Sequence, residues 1–317
     1  SNRTIKADAV VLSIGVRPNT GFLAGSGLEL SPNGAVLVNE KFETNIEDIY
    51  AVGDCAFVRN LITGKSTYAP MGSVANIAGR ILAQNLNGKN LSYKGALGTS
   101  VVKLPGLNAG KTGLTEDAAR EAGYDVVTVT TTVDDKAHYY PGSKVSPGSA
   151  PFIIKMIADK TSRKLLGLQV VGKGSVDKIV DMAVMAIGLD AKLDDIQNLD
   201  YAYAPPFSTA IHPFAVTVNA LLNKINGDMV SITPREYKEG KAEGYKIVDA
   251  SLVPSIKGAP YVDISKTHEE LSDIDKDEKL LLVCDKGKRG GERYWFAVGN
   301  VPKKEFRFVS YGLANPA

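Results

Sequence analysis

Short apolar runs in the first part of the chain predict buried strands of an α/β domain. One run covers residues 7–14 and stops at Gly15, and a second covers residues 49–52 and stops at Gly53 and Asp54. Continuous apolar runs of this length are typical of strands that are buried on both faces. The order of these runs and the helix that follows them therefore predicts an α/β segment.

The predicted helix runs from about Ser73 to Leu86, where apolar residues recur at helical spacing before Asn87-Gly88. A glycine directly after such a pattern is a common end of a helix. The predicted apolar face consists of Val74, Ile77, Ile81 and Leu82.

A second region begins near Ser92 and combines strands with helices. Thr115 can cap a short helix that Gly123 ends. Residues 152–158 and 165–171 are apolar runs on either side of a polar stretch, which predicts a hairpin. A further helix is predicted to start at Ser175, with an apolar face of Val176, Ile179, Val180, Ala183 and Ile187. This mixture is typical of an α+β domain.

The pattern changes again around Asn226-Gly227-Asp228. Residues 246–249 and 280–283 are short apolar runs that predict buried parallel strands of a third, small α/β domain. The predicted fold class is therefore α/β and α+β, with domains at residues 1–92, 93–225 and 226–317.

Composition narrows the possible functions. The 317-residue chain has a net charge of +2, which gives no general reason to expect binding to nucleic acid or a membrane. No apolar run is long enough to cross a bilayer, and no secretory signal opens the sequence. The two cysteines and three scattered histidines predict neither a disulfide framework nor a metal site. We expect a cytoplasmic protein.

The stretch from Thr44 to Cys55 carries the first chemical signal. A strand that ends in Gly53-Asp54 places a carboxylate at the carboxyl end of a sheet, where open α/β folds bind ligands. The stretch resembles the second flavin-binding motif of the pyridine-nucleotide–disulfide oxidoreductases. That resemblance implies that Asp54 holds the ribityl chain of FAD, and that the helix after Pro70-Met71 points at the flavin. The turn at Gly15 resembles the upstream part of the same site.

Other parts of that family's machinery are not found in the sequence. No G-x-G-x-x-G motif follows a strand, so the first FAD motif, the NADH or NADPH site and the redox cysteine are expected upstream. The chain is accordingly expected to be the C-terminal portion of a longer protein. Cys55, although it follows the flavin motif directly, is expected to be a packing residue.

The second region is similar to the family's dimerisation domain, and most of all to that of coenzyme A-disulfide reductases. The matching stretches are residues 138–142 and 201–208. The resemblance implies a homodimer in which Tyr140 and Tyr203 approach the redox cysteine of the partner and a substrate such as coenzyme A or another small thiol or persulfide. His212 precedes a proline, but no carboxylate follows it, so it is expected to be structural.

Cys284 follows the last predicted strand and precedes a short basic loop. The loop consists of Asp285, Lys286, Gly287, Lys288 and Arg289. Backbone N–H groups and nearby cations lower the pKa of a thiol and stabilise a persulfide. The spacing C-x-x-G-x-R resembles the active-site loop of rhodaneses, which implies that Cys284 carries a transferred sulfur. Gly290 departs from the serine that is usual in that loop.

Together these features predict an FAD- and NAD(P)H-dependent reductase of disulfides or persulfides with a fused sulfur-transfer domain. One alternative is an NADH oxidase or peroxidase whose terminal domain is inactive. The other is a non-enzymatic dimerisation or regulatory fragment that binds no flavin.

Overall fold

The computed structural model describes residues 4–142, 148–251, 253–254, 256–262, 279–283 and 306–309. The chain divides into one compact unit that ends at Ala96 and another that begins at Leu97. Helices and strands occur in both units, so the predicted mixed α and β character is confirmed.

The apolar run at residues 7–14 forms no strand in the structure. Its side chains at Val10, Val11, Leu12 and Ile14 are between 80% and 88% exposed. An extended segment becomes a buried strand only when neighbouring strands satisfy its N–H and C=O groups. No described residue does so for this run, and the prediction of a buried strand is therefore wrong here.

The second predicted strand, at residues 49–52, is also not formed. Tyr50 makes only an isolated antiparallel bridge with Glu43. Ile49 and Tyr50 are 41% and 36% exposed. The regular β structure described in this unit is instead a short antiparallel pair, β1 (Val58–Arg59) and β2 (Ser66–Thr67).

Helix α1 (Gly72–Leu86) confirms the predicted helix and packs on the core of the first unit. That core contains the buried residues Phe42, Val58, Ala78, Tyr93 and Ala96. Val74, Ile81 and Leu82 of the predicted apolar face pack against this core. Ile77 is 48% exposed, so its assignment to the buried face was wrong. Ala78, one residue further along, takes the buried position.

An antiparallel sheet with strand order β3-β4-β7-β6-β5 forms the centre of the second unit. Its strands are β3 (Ser100–Leu104), β4 (Leu107–Gly113), β5 (Val126–Asp134), β6 (Pro151–Asp159) and β7 (Leu165–Gly172). The β6–β7 hairpin confirms the prediction from the two apolar runs. Asp159 stabilises its turn because its carboxylate accepts hydrogen bonds from the N–H groups of Ser162 and Asp125.

Helices α3 (Val176–Gly188) and α5 (Pro213–Asn226) pack side by side against one face of this sheet. Alternate β6 residues face them, and Phe152, Ile154, Met156 and Ala158 are 3% exposed or less. Gly110 allows α3 to approach closely, because a Cβ at this position would lie 2.7 Å from Val180. All five apolar α3 positions predicted from the sequence are buried.

Two shorter helices complete this part of the second unit. Helix α2 (Glu116–Glu121) follows Thr115, whose side chain caps it by accepting a hydrogen bond from the N–H of Ala118, as predicted. Helix α4 (Leu193–Gln197) lies between α3 and α5 in the chain.

The last part of the chain contains a parallel sheet with strand order β8-β11-β10-β9. It comprises β8 (Ser231–Ile232), β9 (Lys246–Asp249), β10 (Leu280–Val283) and β11 (Phe306–Val309), with helix α6 (Pro234–Lys238) after β8. The predicted parallel strands at residues 246–249 and 280–283 are confirmed. No helix in the described part of the chain has the length and apolarity needed to traverse a bilayer.

Candidate functional site

Asp54 presents a carboxylate that makes no hydrogen bond or ion pair with any described residue. It lies in a single 3-10 turn, Gly53–Cys55, that begins with Gly53 in the left-handed region at φ +81°. The turn packs against α1, since a Cβ at Gly53 would lie 3.9 Å from Ala75. The backbone oxygen of Asp54 accepts a hydrogen bond from the Tyr68 hydroxyl at 2.9 Å, which fixes the turn and leaves the exposed carboxylate available to a ligand.

The N-terminus of α1 lies beside this turn and has no side-chain cap. Met71 occupies the N-cap position, and its side chain accepts no hydrogen bond from the helix. The N–H groups of the first turn are therefore left for another acceptor, and the helix dipole favours negative charge there. Pro70 and Met71, which directly precede α1, are half-buried.

This combination fits FAD. A free carboxylate suits the hydroxyl groups of a ribityl chain, and an uncapped helix N-terminus suits a ring system that carries negative charge. Asp54 and the first turn of α1 are the groups that would hold it. Gly15, at φ +87°, lies in residues 4–18, which form no regular secondary structure and which no hydrogen bond between described residues connects to the Asp54 turn.

Two tyrosines from distant parts of the second unit meet at its surface. The hydroxyl oxygens of Tyr139 and Tyr203 lie 3.4 Å apart, within hydrogen-bonding distance. The hydrogen bond with Tyr139 raises the pKa of Tyr203. Both side chains are exposed, Tyr139 by 64% and Tyr203 by 48%, so the pair can contact a ligand or a second molecule.

The sequence motif assigned Tyr140 and Tyr203 to the substrate site, and in the structure it is the adjacent Tyr139 whose hydroxyl contacts that of Tyr203. Tyr140 is half-buried, and its backbone N–H bonds to the oxygen of Ala137. The sequence alone does not show whether the phenol of Tyr139 or that of Tyr140 faces Tyr203, because adjacent side chains point in different directions. The catalytic assignment of Tyr140 and Tyr203 stays a prediction.

His212 is buried, with 3% of its surface exposed, and caps α5. Its Nδ1 accepts a hydrogen bond from the N–H of Phe214 at 3.2 Å, and its ring stacks on Tyr201 at 5.1 Å between centroids. Burial, and secondarily the positive charge of Lys178, lowers the pKa of His212 to about 4. The imidazole is therefore neutral near pH 7, with its proton on Nε2, and its cap role accounts for its position before Pro213.

The two cysteines lie in different contexts. Cys55 is half-buried, and its Sγ lies 3.5 Å from the backbone oxygen of Val52, which suits a packing residue. Cys284 follows the last residue of β10, Val283, in the sequence, but Cys284 and the predicted loop from Asp285 to Arg289 lie outside the described residues. Within the described residues, no three histidine, cysteine or acidic side chains are grouped to hold a metal ion.

Two family matches cover most of the first two predicted domains. Residues 1–77 match "Pyridine nucleotide-disulphide oxidoreductase", and residues 99–215 match "Pyridine nucleotide-disulphide oxidoreductase, dimerisation domain". The first match contains Asp54 and the start of α1. The second contains both Tyr139 and Tyr203.

Curated relatives carry related activities in their names. The chain is 37% identical to the NAD(P)H sulfur oxidoreductase (CoA-dependent) of Pyrococcus furiosus over 216 residues, which are 68% of this chain and 47% of that protein. It is 33% identical to the NADH oxidase of Methanocaldococcus jannaschii over 219 residues, 69% of this chain and 47% of that protein. The chain thus spans about half the length of the curated relatives it matches.

A solved structure has the same fold over nearly the whole chain. The NAD-dependent persulfide reductase from A. fulgidus superposes with a TM-score of 0.85 at 33% sequence identity, covering 98% of this chain and 56% of that chain. The likeness extends beyond the dimerisation-domain match, which ends at residue 215.

Proposed function

Because the chain carries two domains of the pyridine nucleotide-disulphide oxidoreductases, a family of FAD- and NAD(P)H-dependent enzymes, we propose that it works in a reductase of disulfides or persulfides. The proposed substrate is coenzyme A disulfide, coenzyme A persulfide or the same derivative of a similar small thiol. The observation that carries this substrate class is the 37% identity to a CoA-dependent NAD(P)H sulfur oxidoreductase. The likeness to a persulfide reductase at a TM-score of 0.85 supports it independently of sequence motifs.

The reaction balances in both forms. With a disulfide, NAD(P)H and one proton give NAD(P)⁺ and two thiols. With a persulfide, NAD(P)H and one proton give NAD(P)⁺, one thiol and hydrogen sulfide. Bound FAD supplies the two-electron transfer between the nicotinamide and the sulfur.

The residues of the first unit would bind and orient the cofactor. The Asp54 carboxylate would accept hydrogen bonds from ribityl hydroxyls, since no described residue donates a hydrogen bond to it. The uncapped first turn of α1 stabilises negative charge on the ring system. Gly53, in the left-handed region, allows the turn that places Asp54 beside the N-terminus of α1.

The tyrosine pair would act on the sulfur substrate of a partner subunit. A phenol can donate a hydrogen bond to a thiolate and place an apolar ring against the substrate chain. In the pair one hydroxyl can donate to the other, which leaves the second hydroxyl proton for the thiolate. In this proposal Tyr203 and one of the two adjacent tyrosines, Tyr139 or Tyr140, stabilise the leaving thiolate.

We propose a homodimer as the working form. Apolar side chains on β3 and α3 are exposed: Val101, Val102, Leu104 and Met185 are between 45% and 60% exposed. Exposed apolar side chains are stabilised when a partner molecule covers them. Their location in the domain that matches the dimerisation family supports a partner copy as the occupant.

The terminal sheet would add sulfur transfer through Cys284. Val283 ends a parallel strand at the edge of the sheet where α/β folds bind ligands, and Cys284 is the next residue in the sequence. In this step the Cys284 thiolate attacks the outer sulfur of thiosulfate, forming a cysteine persulfide and releasing sulfite. A second thiolate or cyanide then takes the outer sulfur and regenerates the Cys284 thiolate.

The reductase proposal is tested by NAD(P)H oxidation in the flavin-loaded protein that contains this chain. We expect consumption of NAD(P)H with coenzyme A disulfide or persulfide, and a large loss of that rate in Tyr203→Phe. NADH consumption with oxygen alone, unaffected by either sulfur substrate, would instead favour an oxidase. The 33% identity to an NADH oxidase makes that activity the second candidate.

The sulfur-transfer proposal is tested on the chain itself. After incubation with thiosulfate, mass spectrometry should find one added sulfur on Cys284 and none on Cys55, and cyanide should release it as thiocyanate. Cys284→Ser should abolish both signals, while Cys55→Ser should change neither. A folded chain in which Cys284 stays unmodified by thiosulfate and polysulfide would contradict sulfur transfer and leave the reductase proposal untouched.

A further inference from the structure

A cavity of about 720 Å³ opens in the second unit beside the N-terminus of α3. Its described walls come from the start of β4, residues 135–136 and 148–150 between β5 and β6, the residues that lead into α3, and the segment before α5. Ligand sites for small organic molecules commonly have volumes of about 300–1,000 Å³, so this space can hold a nucleotide-sized molecule. Neither the flavin site nor the Cys284 loop contributes to the lining that is described.

His212 provides a buried donor at the cavity wall. The residue is 97% buried, as its 3% exposure shows, and it lines the cavity. Its Nδ1 accepts the N–H of Phe214, so the neutral ring carries its proton on Nε2. Among the described residues no acceptor is present for this Nε2–H. This N–H is therefore left for a ligand or a water molecule in the cavity.

The N-terminus of α3 provides a second set of donors. Ser175 is the N-cap residue, and its side chain accepts no hydrogen bond from the helix. Asn108 holds the preceding residues in place, because its side-chain amide donates to the backbone oxygens of Lys173 and Gly174 at 3.3 and 2.9 Å. Gly174 leaves room for the side chain of Asp135, since a Cβ at this position would lie 2.6 Å from an Asp135 carboxylate oxygen. The N–H of Val176 bonds to the oxygen of Gly174 at 2.9 Å, so the first-turn N–H groups left for a ligand in the described structure are those of Asp177 and Lys178.

The charges around the cavity favour an anion. Lys136, Lys173 and Lys178 line it together with Asp135 and Asp177. Asp135 is already compensated, because its carboxylate lies 3.6 Å from the Lys136 ammonium and accepts the N–H of Ala150. Within the described part of the chain, Lys173 and Lys178 have no ion-pair partner. Asp177 is exposed on the first turn of α3 and opposes them only in part.

We propose that this cavity binds a phosphate group through the Nε2–H of His212, the first-turn N–H groups of α3, and the ammonium groups of Lys173 and Lys178. A phosphate offers several acceptor oxygens, which matches a donor set of one imidazole, two cations and a helix N-terminus. The phosphate is either free or carried by a nucleotide. Phe152 and Phe207 line the same cavity and offer apolar surface to a base.

Calorimetric titration of the complete chain with inorganic phosphate, AMP and adenosine tests the proposal. We expect saturable binding of at least one phosphate-bearing ligand and none of adenosine. Tighter binding of AMP identifies a nucleotide as the source, and tighter binding of inorganic phosphate identifies the free ion. Absence of saturable binding by both phosphate ligands, or equal binding of adenosine, overturns the proposal.

Three variants locate the binding. Lys178→Gln removes one cation, and His212→Asn removes the Nε2 donor but keeps a residue that caps helices well. Each should weaken phosphate binding by roughly tenfold, as expected for the loss of one charge-assisted or buried hydrogen bond. Lys160→Gln, in the β6–β7 turn outside the cavity, is the matched control and should bind like the parent chain. Equal weakening by Lys160→Gln would show general charge attraction and overturn the site.

The resonances of the histidine ring provide an independent readout of position. Phosphate should shift the ring signals of His212, assigned by their loss in His212→Asn, and leave those of His138 unchanged. Binding that shifts neither signal would overturn the assignment of His212. This proposal does not depend on reductase activity, since the titration uses no flavin and no redox substrate.

Discussion

The hydroxyl groups of Tyr139 and Tyr203 meet at 3.4 Å, although 64 positions separate these residues in the chain. Tyr139 follows the end of β5, and Tyr203 lies between α4 and α5. The antiparallel sheet and the helices packed on it bring the two loops together. The contact creates an exposed phenol pair in the domain that matches a dimerisation family.

The titration of Tyr203 should depend on Tyr139. The hydrogen bond with Tyr139 is the largest cause of the raised pKa of Tyr203, so Tyr139→Phe should return this pKa towards its ordinary value of 10.0. Tyr140→Phe, at the neighbouring position, should leave it unchanged. Carbon NMR of ring-labelled tyrosine as a function of pH measures both. A fall of the Tyr203 pKa in the Tyr140 variant alone would contradict the observed pairing.

Acid should destabilise the protein partly through His212. Burial lowers its folded-state pKa to about 4, below its ordinary value of 6.5. Above the ordinary value both states are neutral, but below it the unfolded chain binds a proton that the folded chain excludes. Stability is therefore lost as the pH falls from 6.5 towards about 4, by about 2–3 kcal/mol.

Denaturant unfolding at about pH 7 and about pH 4 measures this loss. In His212→Asn the part of the acid sensitivity that belongs to the histidine should disappear, while Asn still caps α5. His138→Asn, at an exposed position, is the control and should retain the sensitivity of the parent chain. Identical pH dependence in the parent chain and His212→Asn would contradict the buried neutral state.

Glu236 should contribute stability above its ordinary pKa. Burial alone would raise that pKa, but the charge of Lys224, the N–H of Thr233 and the ammonium of Lys241 outweigh it and lower the pKa to about 2. Glu236→Gln keeps an acceptor for the Thr233 N–H and removes the charge. We expect a loss of about 2 kcal/mol at neutral pH.

The Glu236 contribution has a defined pH window. Because the folded-state pKa is depressed, the contribution is complete above 4.5 and is lost as the pH falls towards about 2. The difference in unfolding free energy between the parent chain and Glu236→Gln should therefore shrink over that window. Glu239→Gln, whose i, i+4 pair with Arg235 is exposed, should cost much less. A difference that stays constant with pH would contradict the assignment.

Two glycine-to-alanine substitutions should have opposite effects. At Gly167 in β7 a Cβ would lie 2.0 Å from the backbone oxygen of Leu114, so Gly167→Ala must displace the backbone that directly follows β4. We expect a loss of about 3 kcal/mol or more. At Gly79 in α1 a Cβ meets nothing within 4 Å, and alanine favours the helix by about 0.5–1 kcal/mol. Unfolding curves of the two variants should move in opposite directions, and parallel shifts would contradict this reading of the packing.

Local patterns in the sequence were sufficient to predict elements whose interaction partners are close in the chain. The hairpin of β6 and β7, the cap at Thr115 and the buried face of α3 all follow from alternation, helical period and turn residues. The Gly53-Asp54 signal also located a free carboxylate beside a helix N-terminus. Each of these features depends on interactions over a few residues or on a repeating apolar face.

The same patterns failed for the apolar run at residues 7–14. Its composition indicates a strand, and its exposure in the structure reflects the lack of a described neighbour to pair with it. An apolar segment becomes buried only when another part of the protein packs against it, and the composition of the segment does not show whether such a surface exists. The prediction that Ile77 is buried was wrong for a similar reason, since the position of the core decides which side of α1 is covered.

The sequence by itself indicated the family and the segments that carry its motifs: a Gly-Asp turn before α1, tyrosine-containing loops, and a cysteine after an apolar run. Tertiary structure alone decided that Tyr139 meets Tyr203, that His212 is a buried neutral cap, and that it shares a cavity with Lys178 and the start of α3. These facts depend on the directions of side chains and on contacts between segments far apart in the chain. The spacing of residues in the sequence specifies neither the side-chain directions nor these contacts, because packing fixes both only when the whole unit has folded.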